Sequence, residues 1–330
     1  MTRLTHKRHT LKNLRHRKAF LILLASMGMN TSAVASAVAS DHSTDLASDR
    51  TRNNTYEQKY QLAQTPVLSD PEASQQALAD GIEKVRRNDV EGAIADFNRA
   101  VGLDPTSAAA YYNLGLAYRQ SGQFQQAADA FWQATQADPT LAIAYVNLGA
   151  TLLESENIEQ AESYLNRAIE IDPELGPAHY NMGLLQRQQG NLPAAFEAFK
   201  LATVYNPSAP EPHYHIGAIY QRQNQHPQAQ QAFEQAIALA PNYAEAHYSL
   251  GTTLIQQGQP EAAIQSLDAA LALQPTFGHA YYTQALALAQ LQRHEEAKAK
   301  MQTAINTYIS QGRSDWANRA QQQLTQLENR

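Results

Sequence analysis

Small and large apolar residues recur along most of the chain in a pattern that repeats every 34 residues. Proline marks this period at Pro105, Pro139, Pro173, Pro207, Pro241 and Pro275. When each proline is counted as position 32 of a unit, glycine falls at position 8 in six units, and alanine falls at positions 20 and 27 in all seven. Position 24 is large and apolar throughout, with Phe in four units and Leu or Met in the other three.

These fixed positions predict that each unit is a helical hairpin. At 100° per residue, positions 4, 7, 8 and 11 share one face of a first helix, and positions 20, 24 and 27 share one face of a second. Small residues at positions 8 and 20 allow the backbones to approach, and the large residue at 24 fills the remaining space. Proline at 32 ends the second helix because it can neither donate a backbone hydrogen bond nor fit the preceding turn.

The period, the glycine at position 8, the A-x₃-F spacing and the terminal proline resemble the tetratricopeptide repeat. Six units are in register, and a seventh carries Ala285 in place of Gly and Ile309 in place of Pro, as expected where an array ends. The resemblance implies an all-α fold, a right-handed α-solenoid of about seven hairpins over residues 73–309. Residues 310–330 follow as a C-terminal capping helix, with an apolar stripe at Trp316, Ala320, Leu324 and Leu327.

The N-terminal region has the order of a secretory signal peptide. Seven Lys and Arg residues and no acidic residue lie in the first 40 positions, and an apolar run from Ala19 to Ala25 is followed by two A-x-A sites. Residues 1–39 are therefore interpreted as a signal peptide, with an uncleaved membrane anchor or an organelle transit peptide as alternatives. Residues 40–72 are polar and predict a disordered linker. We expect an exported protein, periplasmic or secreted, or membrane-anchored if the segment is retained.

Composition narrows the function classes. The chain has no cysteine, so disulfides, thiolate metal sites and cysteine nucleophiles are excluded. The net charge of −6 becomes −13 without the first 40 residues, which leaves no basic surplus for binding a phosphate backbone. Nucleic acid is therefore not an expected partner.

In tetratricopeptide proteins the stripe at positions 2, 5, 9, 12 and 13 of the first helix lines a concave groove. Tyrosine fills position 5 in five units, and these rings are suited to grip a peptide while their hydroxyls stay in water. The alternative is that the rings only pad neighbouring helices. The tyrosines are Tyr112, Tyr180, Tyr214, Tyr248 and Tyr282.

Two other sets of polar residues face the predicted groove. Asn113, Asn147 and Asn181 occupy position 6 of three successive units, where their amides could hold an extended peptide backbone or simply be the usual residue of the repeat. The groove cations are Arg86, Arg119, Arg187 and Arg222, which allow mixed or acidic peptides. No Lys occupies positions 5, 9, 12 or 13, so a lysine clamp for a C-terminal carboxylate is not predicted.

The sequence gives little indication of a catalytic or metal site. His179, His213 and His247 recur at position 4, and this regular spacing indicates packing, since zinc would need further ligands that the sequence does not supply. No phosphate loop, dinucleotide fingerprint or nucleophile elbow is present. The sequence thus predicts a non-catalytic scaffold or adaptor that binds a protein or peptide segment, without cofactor or metal. The alternative is a glycan-binding module of a cell-envelope assembly.

Overall fold

The computed structural model describes residues 69–329, which form α-helices and no strands. The signal-peptide interpretation of residues 1–39 lies outside this range, as does most of the predicted linker. Numbered in chain order, the helices are α1 (Pro71–Arg86), α2 (Val90–Leu103), α3 (Ala108–Gln120), α4 (Phe124–Ala137), α5 (Ala142–Glu154), α6 (Ile158–Ile171), α7 (Gly176–Gln188) and α8 (Leu192–Tyr205). They continue with α9 (Pro210–Arg222), α10 (His226–Leu239), α11 (Ala244–Gln256), α12 (Pro260–Leu273), α13 (Gly278–Gln290), α14 (His294–Ser310) and α15 (Ser314–Glu328).

The helices belong to two compact units, here the N-terminal unit, which ends at Asn157, and the C-terminal unit, which begins at Ile158. Within each unit, consecutive helices pair as hairpins, and the second helix of one repeat packs on the first helix of the next. First helices of neighbouring repeats also touch, as α9 and α11 do. This stacking of helix pairs confirms the predicted all-α solenoid class.

Local sequence signals define where the helices begin and end. Asp70 and Asp89 cap α1 and α2 by accepting backbone hydrogen bonds from Ala73 (3.0 Å) and Gly92 (2.9 Å). Each second helix of the first six repeats ends two residues before the proline at position 32. Between the two helices of all seven repeats, position 15 has a positive φ, held by Gly, Asn, Glu156 (60°) or Gln292 (58°).

In the hairpins that lie within one unit, the core is a large ring or chain laid over a small residue. The ring of Phe131 is fully buried, and a Cβ atom added to Gly115 would lie 2.6 Å from its Cδ1. Gly183 meets Phe199 and Gly217 meets Phe233 in the same way. In the seventh repeat Ala285 replaces the glycine, and the flexible Met301 replaces the phenylalanine. The repeat positions chosen from the sequence are thus the ones that pack.

Helix α15 closes the C-terminal unit. Ala317, Ala320, Leu324 and Leu327 are buried in one cluster with residues of α13 and α14 such as Leu288 and Met301. Trp316, predicted to belong to the buried stripe, is only half-buried and contacts His279 edge-on at 4.4 Å. Between residues 69 and 329, no helix combines the length and hydrophobicity required to cross a bilayer.

Candidate functional site

Tyr112 is the position-5 tyrosine of the N-terminal unit, and it is packed rather than exposed. Only 4% of its surface is accessible, and its ring tilts against Phe131 at 5.8 Å. The hydroxyl accepts a hydrogen bond from Asn147 Nδ2 at 3.3 Å. Burial raises the pKa of Tyr112 to about 12, and the hydrogen bond from Asn147 only partly opposes this effect. The expectation that this hydroxyl stays in water is therefore wrong.

The three asparagines at position 6 are used inside their own helices. Asn147 is 1% exposed, and its amide donates to Ile143 O (2.9 Å) as well as to Tyr112. Asn113 and Asn181 are half-buried and donate to the carbonyls four residues earlier, each at 2.8 Å. Both amide hydrogens of Asn147 are used inside the protein, so neither is free to donate to a peptide backbone as the predicted ladder requires.

Arg119, a predicted groove cation of the N-terminal unit, is paired with a carboxylate. Its guanidinium forms an ion pair with Glu154, with 2.5 Å between Nη2 and Oε1. Only 20% of the arginine side chain is exposed. Arg86, at the end of α1, pairs with Glu83. The arginines on this face of the N-terminal unit are therefore paired already.

Tyrosines of the C-terminal unit keep part of their surface accessible. Tyr180, Tyr214, Tyr248 and Tyr282 are all half-buried. The rings of Tyr180 and Tyr214 tilt onto the phenylalanine of their own repeat, at 5.9 and 5.8 Å. Their hydroxyls, and that of Tyr248, bond to position 6 of the next repeat, at His215, Ser249 and Thr283 respectively. One side of each ring packs, and the remainder borders the solvent.

Arg187, His215 and Tyr180 form a hydrogen-bonded chain. Burial and the nearby Arg187 lower the pKa of His215 to about 3, so its ring is neutral. Arg187 Nη1 lies 3.3 Å from Nδ1 and, being a donor only, makes that nitrogen the acceptor. The ring proton is then on Nε2, 3.4 Å from the Tyr180 oxygen. Tyr180 accepts from His215 and keeps its own hydroxyl hydrogen for another acceptor.

Tyr243, which the sequence pattern did not single out, completes this aromatic group. It occupies position 34 of the fifth repeat, and its ring lies 5.1 Å from that of Tyr214. Phe277 at the same position of the sixth repeat contacts Tyr248 at 4.8 Å. Position 34 is aromatic only in these two repeats, and this departure from the pattern is the signal that could have identified both residues.

The remaining candidates have simpler roles. Arg222 is exposed at the end of α9, and no described residue forms an ion pair with it. Tyr282 packs beside the buried cluster beneath α15. The Nε2 atoms of His179 and His247 donate to the carbonyls of Pro173 (2.8 Å) and Pro241 (3.0 Å), which is a packing role. Across residues 69–329 there is no group of three or more potential metal ligands.

Hairpins in 34-residue frames, stacked one after another, define an α-helical repeat protein. Models of the tetratricopeptide repeat match residues 215–276 and 250–313, 108–141, and 142–175, and a model described as TPR repeat matches 81–120 and 185–224. These matches span most of the chain, which therefore belongs to the tetratricopeptide repeat family. The single-repeat matches at 108–141 and 142–175 coincide with the frames set by the prolines.

Solved structures of similar fold include three examples. A chain of the APC/C hetero-tetramer Cut9-Hcn1 has a TM-score of 0.60 and 21% identity, covering 72% of this chain and 46% of that one. PilF of Pseudomonas aeruginosa has a TM-score of 0.58 and 20% identity, and the match covers 65% of this chain and 98% of PilF. A tetratricopeptide repeat protein from Parabacteroides merdae has a TM-score of 0.56 and 16% identity, and the match covers 76% of this chain and 99% of that protein. The chain spans less than half the length of the first, and at these identities the likeness shows the fold alone. No curated protein matches the sequence.

Proposed function

We propose that this protein is a non-catalytic scaffold that binds a protein segment along the first-helix face of its C-terminal unit. The observation that carries the proposal is the half-buried row Tyr180, Tyr214, Tyr248 and Tyr282, which borders solvent on one side. Tetratricopeptide repeats generally act in protein interaction, and these rings offer rigid contact area with little entropy to lose. The buried Tyr112 and the paired Arg119 make the N-terminal unit a poorer candidate.

A protein segment suits this face better than a sugar. A sugar-binding platform needs an open ring face, whereas Tyr180 and Tyr214 cover one side of their rings with Phe199 and Phe233. Three of the hydroxyls already bond within the protein. Nothing in the comparisons supports glycan binding. We also expect no nucleic-acid partner, because the chain is acidic beyond its first 40 residues.

Export to the periplasm or the medium remains part of the proposal. It rests on the order of basic, apolar and small residues within positions 1–39. Intact-mass measurement of the protein purified from its native cells tests it. A mature chain that starts after Ala35 or Ala39 supports cleavage, whereas a chain that starts at Met1 contradicts it and leaves the membrane-anchor alternative.

Two variants, each of which replaces an alanine with tyrosine, test the binding face. Ala218 lies between Tyr214 and Arg222 on one face of α9, and Ala238 is exposed on α10, which is a second helix. Short random peptides are selected on the full chain, and their affinities are measured by fluorescence anisotropy. We expect Ala218→Tyr to weaken binding by about ten-fold or more and Ala238→Tyr to leave it unchanged. Failure to select any peptide, or equal effects of the two variants, would contradict the proposal.

A further inference from the structure

Two carboxylates on the proposed binding face have no partner. Glu211 and Glu245 occupy position 2 of the fifth and sixth repeats, in the first turns of α9 and α11. Both are half-buried. Neither forms an ion pair or hydrogen bond with any residue from 69 to 329. A partly desolvated carboxylate without a partner attracts a cation more strongly than one in open water.

Each carboxylate lies within electrostatic range of two tyrosines: Glu211 affects Tyr180 and Tyr243, and Glu245 affects Tyr214 and Tyr243. Glu211 is one helical turn before Tyr214, and Glu245 is one turn before Tyr248, so each pair shares a face. Tyr243, just before α11, brings its ring to 5.1 Å from that of Tyr214. Within the described part of the chain, the Tyr243 hydroxyl has no hydrogen-bond partner. Carboxylates and aromatic rings together are the groups that bind an ammonium or guanidinium group.

Glu211 and Glu245 affect the pKa values of the neighbouring tyrosines. Burial is the main cause that raises the pKa of Tyr180, and Glu211 raises it further by more than Arg187 lowers it. Burial also raises the pKa of Tyr214, the hydrogen bond with Ser249 opposes this effect, and Glu245 raises the pKa by more than Arg187 lowers it. Burial is the main cause that raises the pKa of Tyr243; the neighbouring tyrosines, Glu211 and Glu245 raise it further, and no cation lowers it. Both carboxylates therefore lie close enough to these phenol groups to affect them.

The N-terminal unit has a different arrangement. Its groove carboxylate, Glu154, is paired with Arg119. Arg187, which occupies the same repeat position as Arg119, instead contacts His215. The two groove carboxylates of the C-terminal unit are consequently left for a cation that comes from outside the unit.

We propose that the C-terminal unit recognises a basic side chain, lysine or arginine, of the bound segment, held by Glu211 and Glu245 against the rings of Tyr214 and Tyr243. This inference rests on the proposed function and names the chemistry of the partner. Arg187, at the Tyr180 end of the same face, repels a second basic residue there and gives the site a direction along the peptide.

Three random-peptide pools test the inference, identical except for a fixed central residue, which is Arg, Gln or Glu. Binding to the full chain is measured by fluorescence anisotropy at low and high salt. We expect the Arg pool to bind about ten-fold more tightly than the Gln pool and the Glu pool to bind most weakly, with the preference reduced by salt. The double variant Glu211→Gln/Glu245→Gln should abolish the preference.

The control is the double variant Glu234→Gln/Glu261→Gln, which removes the same number of charges from exposed positions on second helices. It should keep the preference for Arg. If the three pools bind equally and Ala218→Tyr abolishes their binding, the inference is overturned and the proposed function stands. A preference for the Glu pool that is lost in Arg187→Gln would overturn it in favour of acidic segments. No binding of any pool would overturn both.

Discussion

The hydroxyl of Tyr112 accepts a hydrogen bond from Asn147, a residue 35 positions further along the chain, at 3.3 Å. The same offset joins Tyr180 to His215 at 3.4 Å. Tyr214 and Tyr248 reach Ser249 and Thr283, again at position 6 of the next repeat. Position 5 therefore links neighbouring first helices through its hydroxyl, and in the C-terminal unit part of its ring stays accessible.

This link predicts an unequal effect of deleting its two ends. Asn147→Ala should destabilise the N-terminal unit by about 1–3 kcal/mol, because the buried hydroxyl of Tyr112 is left without a partner. Tyr112→Phe should cost about 1 kcal/mol, since Asn147 keeps its bond to the Ile143 carbonyl. Hydrogen exchange of α3 and α5 amides measures both effects within the unit.

The double variant Tyr112→Phe/Asn147→Ala is the control. Because the phenylalanine removes the orphaned hydroxyl, the double variant should be no less stable than Asn147→Ala alone. Simple addition of the two single effects would show that the hydroxyl and the amide do not interact.

Close packing of Phe131 on Gly115 predicts that an extra methyl group is not tolerated there. A Cβ on Gly115 would lie 2.6 Å from a ring that is fully buried and cannot move away. Gly115→Ala should cost about 1–3 kcal/mol, despite the higher helix propensity of alanine. Gly102, near the end of α2, has open space around it, so Gly102→Ala should stabilise by about 0.5–1 kcal/mol. Urea unfolding of the two variants compares the two outcomes.

The seventh repeat has a methyl group at the glycine position and a flexible side chain in place of the phenylalanine ring. It pairs Ala285 with Met301, and both are fully buried. Methionine can bend away from a methyl group that a rigid ring would meet. Phe131→Met should therefore recover a measurable part of the stability lost in Gly115→Ala. A double variant that is less stable than Gly115→Ala would contradict this explanation.

The repeat frame is predictable because each packing position recurs at a fixed offset, so the period alone assigns Gly115 and Phe131 to packed faces. The apolar stripe of α15 assigns Leu324. The partners of the polar groups do not follow from the period. Whether the Tyr112 hydroxyl meets water or Asn147 depends on the tilt between neighbouring repeats, which a 34-residue spacing does not encode. Arg119 reaches Glu154, whereas the residue 35 positions after Arg187 is Arg222, and Arg187 contacts His215 instead. Tyr243 escapes prediction because it breaks the pattern instead of following it.

His215 predicts an acid-dependent loss of stability in the C-terminal unit. Its pKa is lowered to about 3 in the fold by burial and by Arg187, against about 6.5 in an unfolded chain. The fold thus favours the neutral ring, and this contribution is complete above about pH 6.5. It is lost as the pH falls towards 3, by at most about 1.4 kcal/mol per pH unit.

His215→Asn isolates this contribution, because asparagine does not titrate and already fills position 6 as Asn181. Between about pH 7 and 5, wild type should lose more stability than the variant in urea unfolding. The other histidines and the carboxylates titrate equally in both proteins and cancel in the comparison. Parallel curves would mean that His215 becomes charged without hindrance and is not held neutral by the fold.

The last helix predicts that stability at the C-terminal end depends on a few residues of α15. Leu324 is 6% exposed and packs in one cluster with Met301, Ile305 and Tyr308. Leu324→Ala should cost about 2–4 kcal/mol, because it removes buried methyl groups and leaves a cavity. Repeats are coupled chiefly to their neighbours, so the loss should be concentrated in α13 to α15. Hydrogen exchange should show faster opening in α13 to α15 and little change in α7 and α8. The control is Ile309→Ala on α14, which changes a side chain that is 62% exposed and should leave exchange in both regions unchanged. Equal acceleration throughout the C-terminal unit would instead show that it unfolds as one cooperative block.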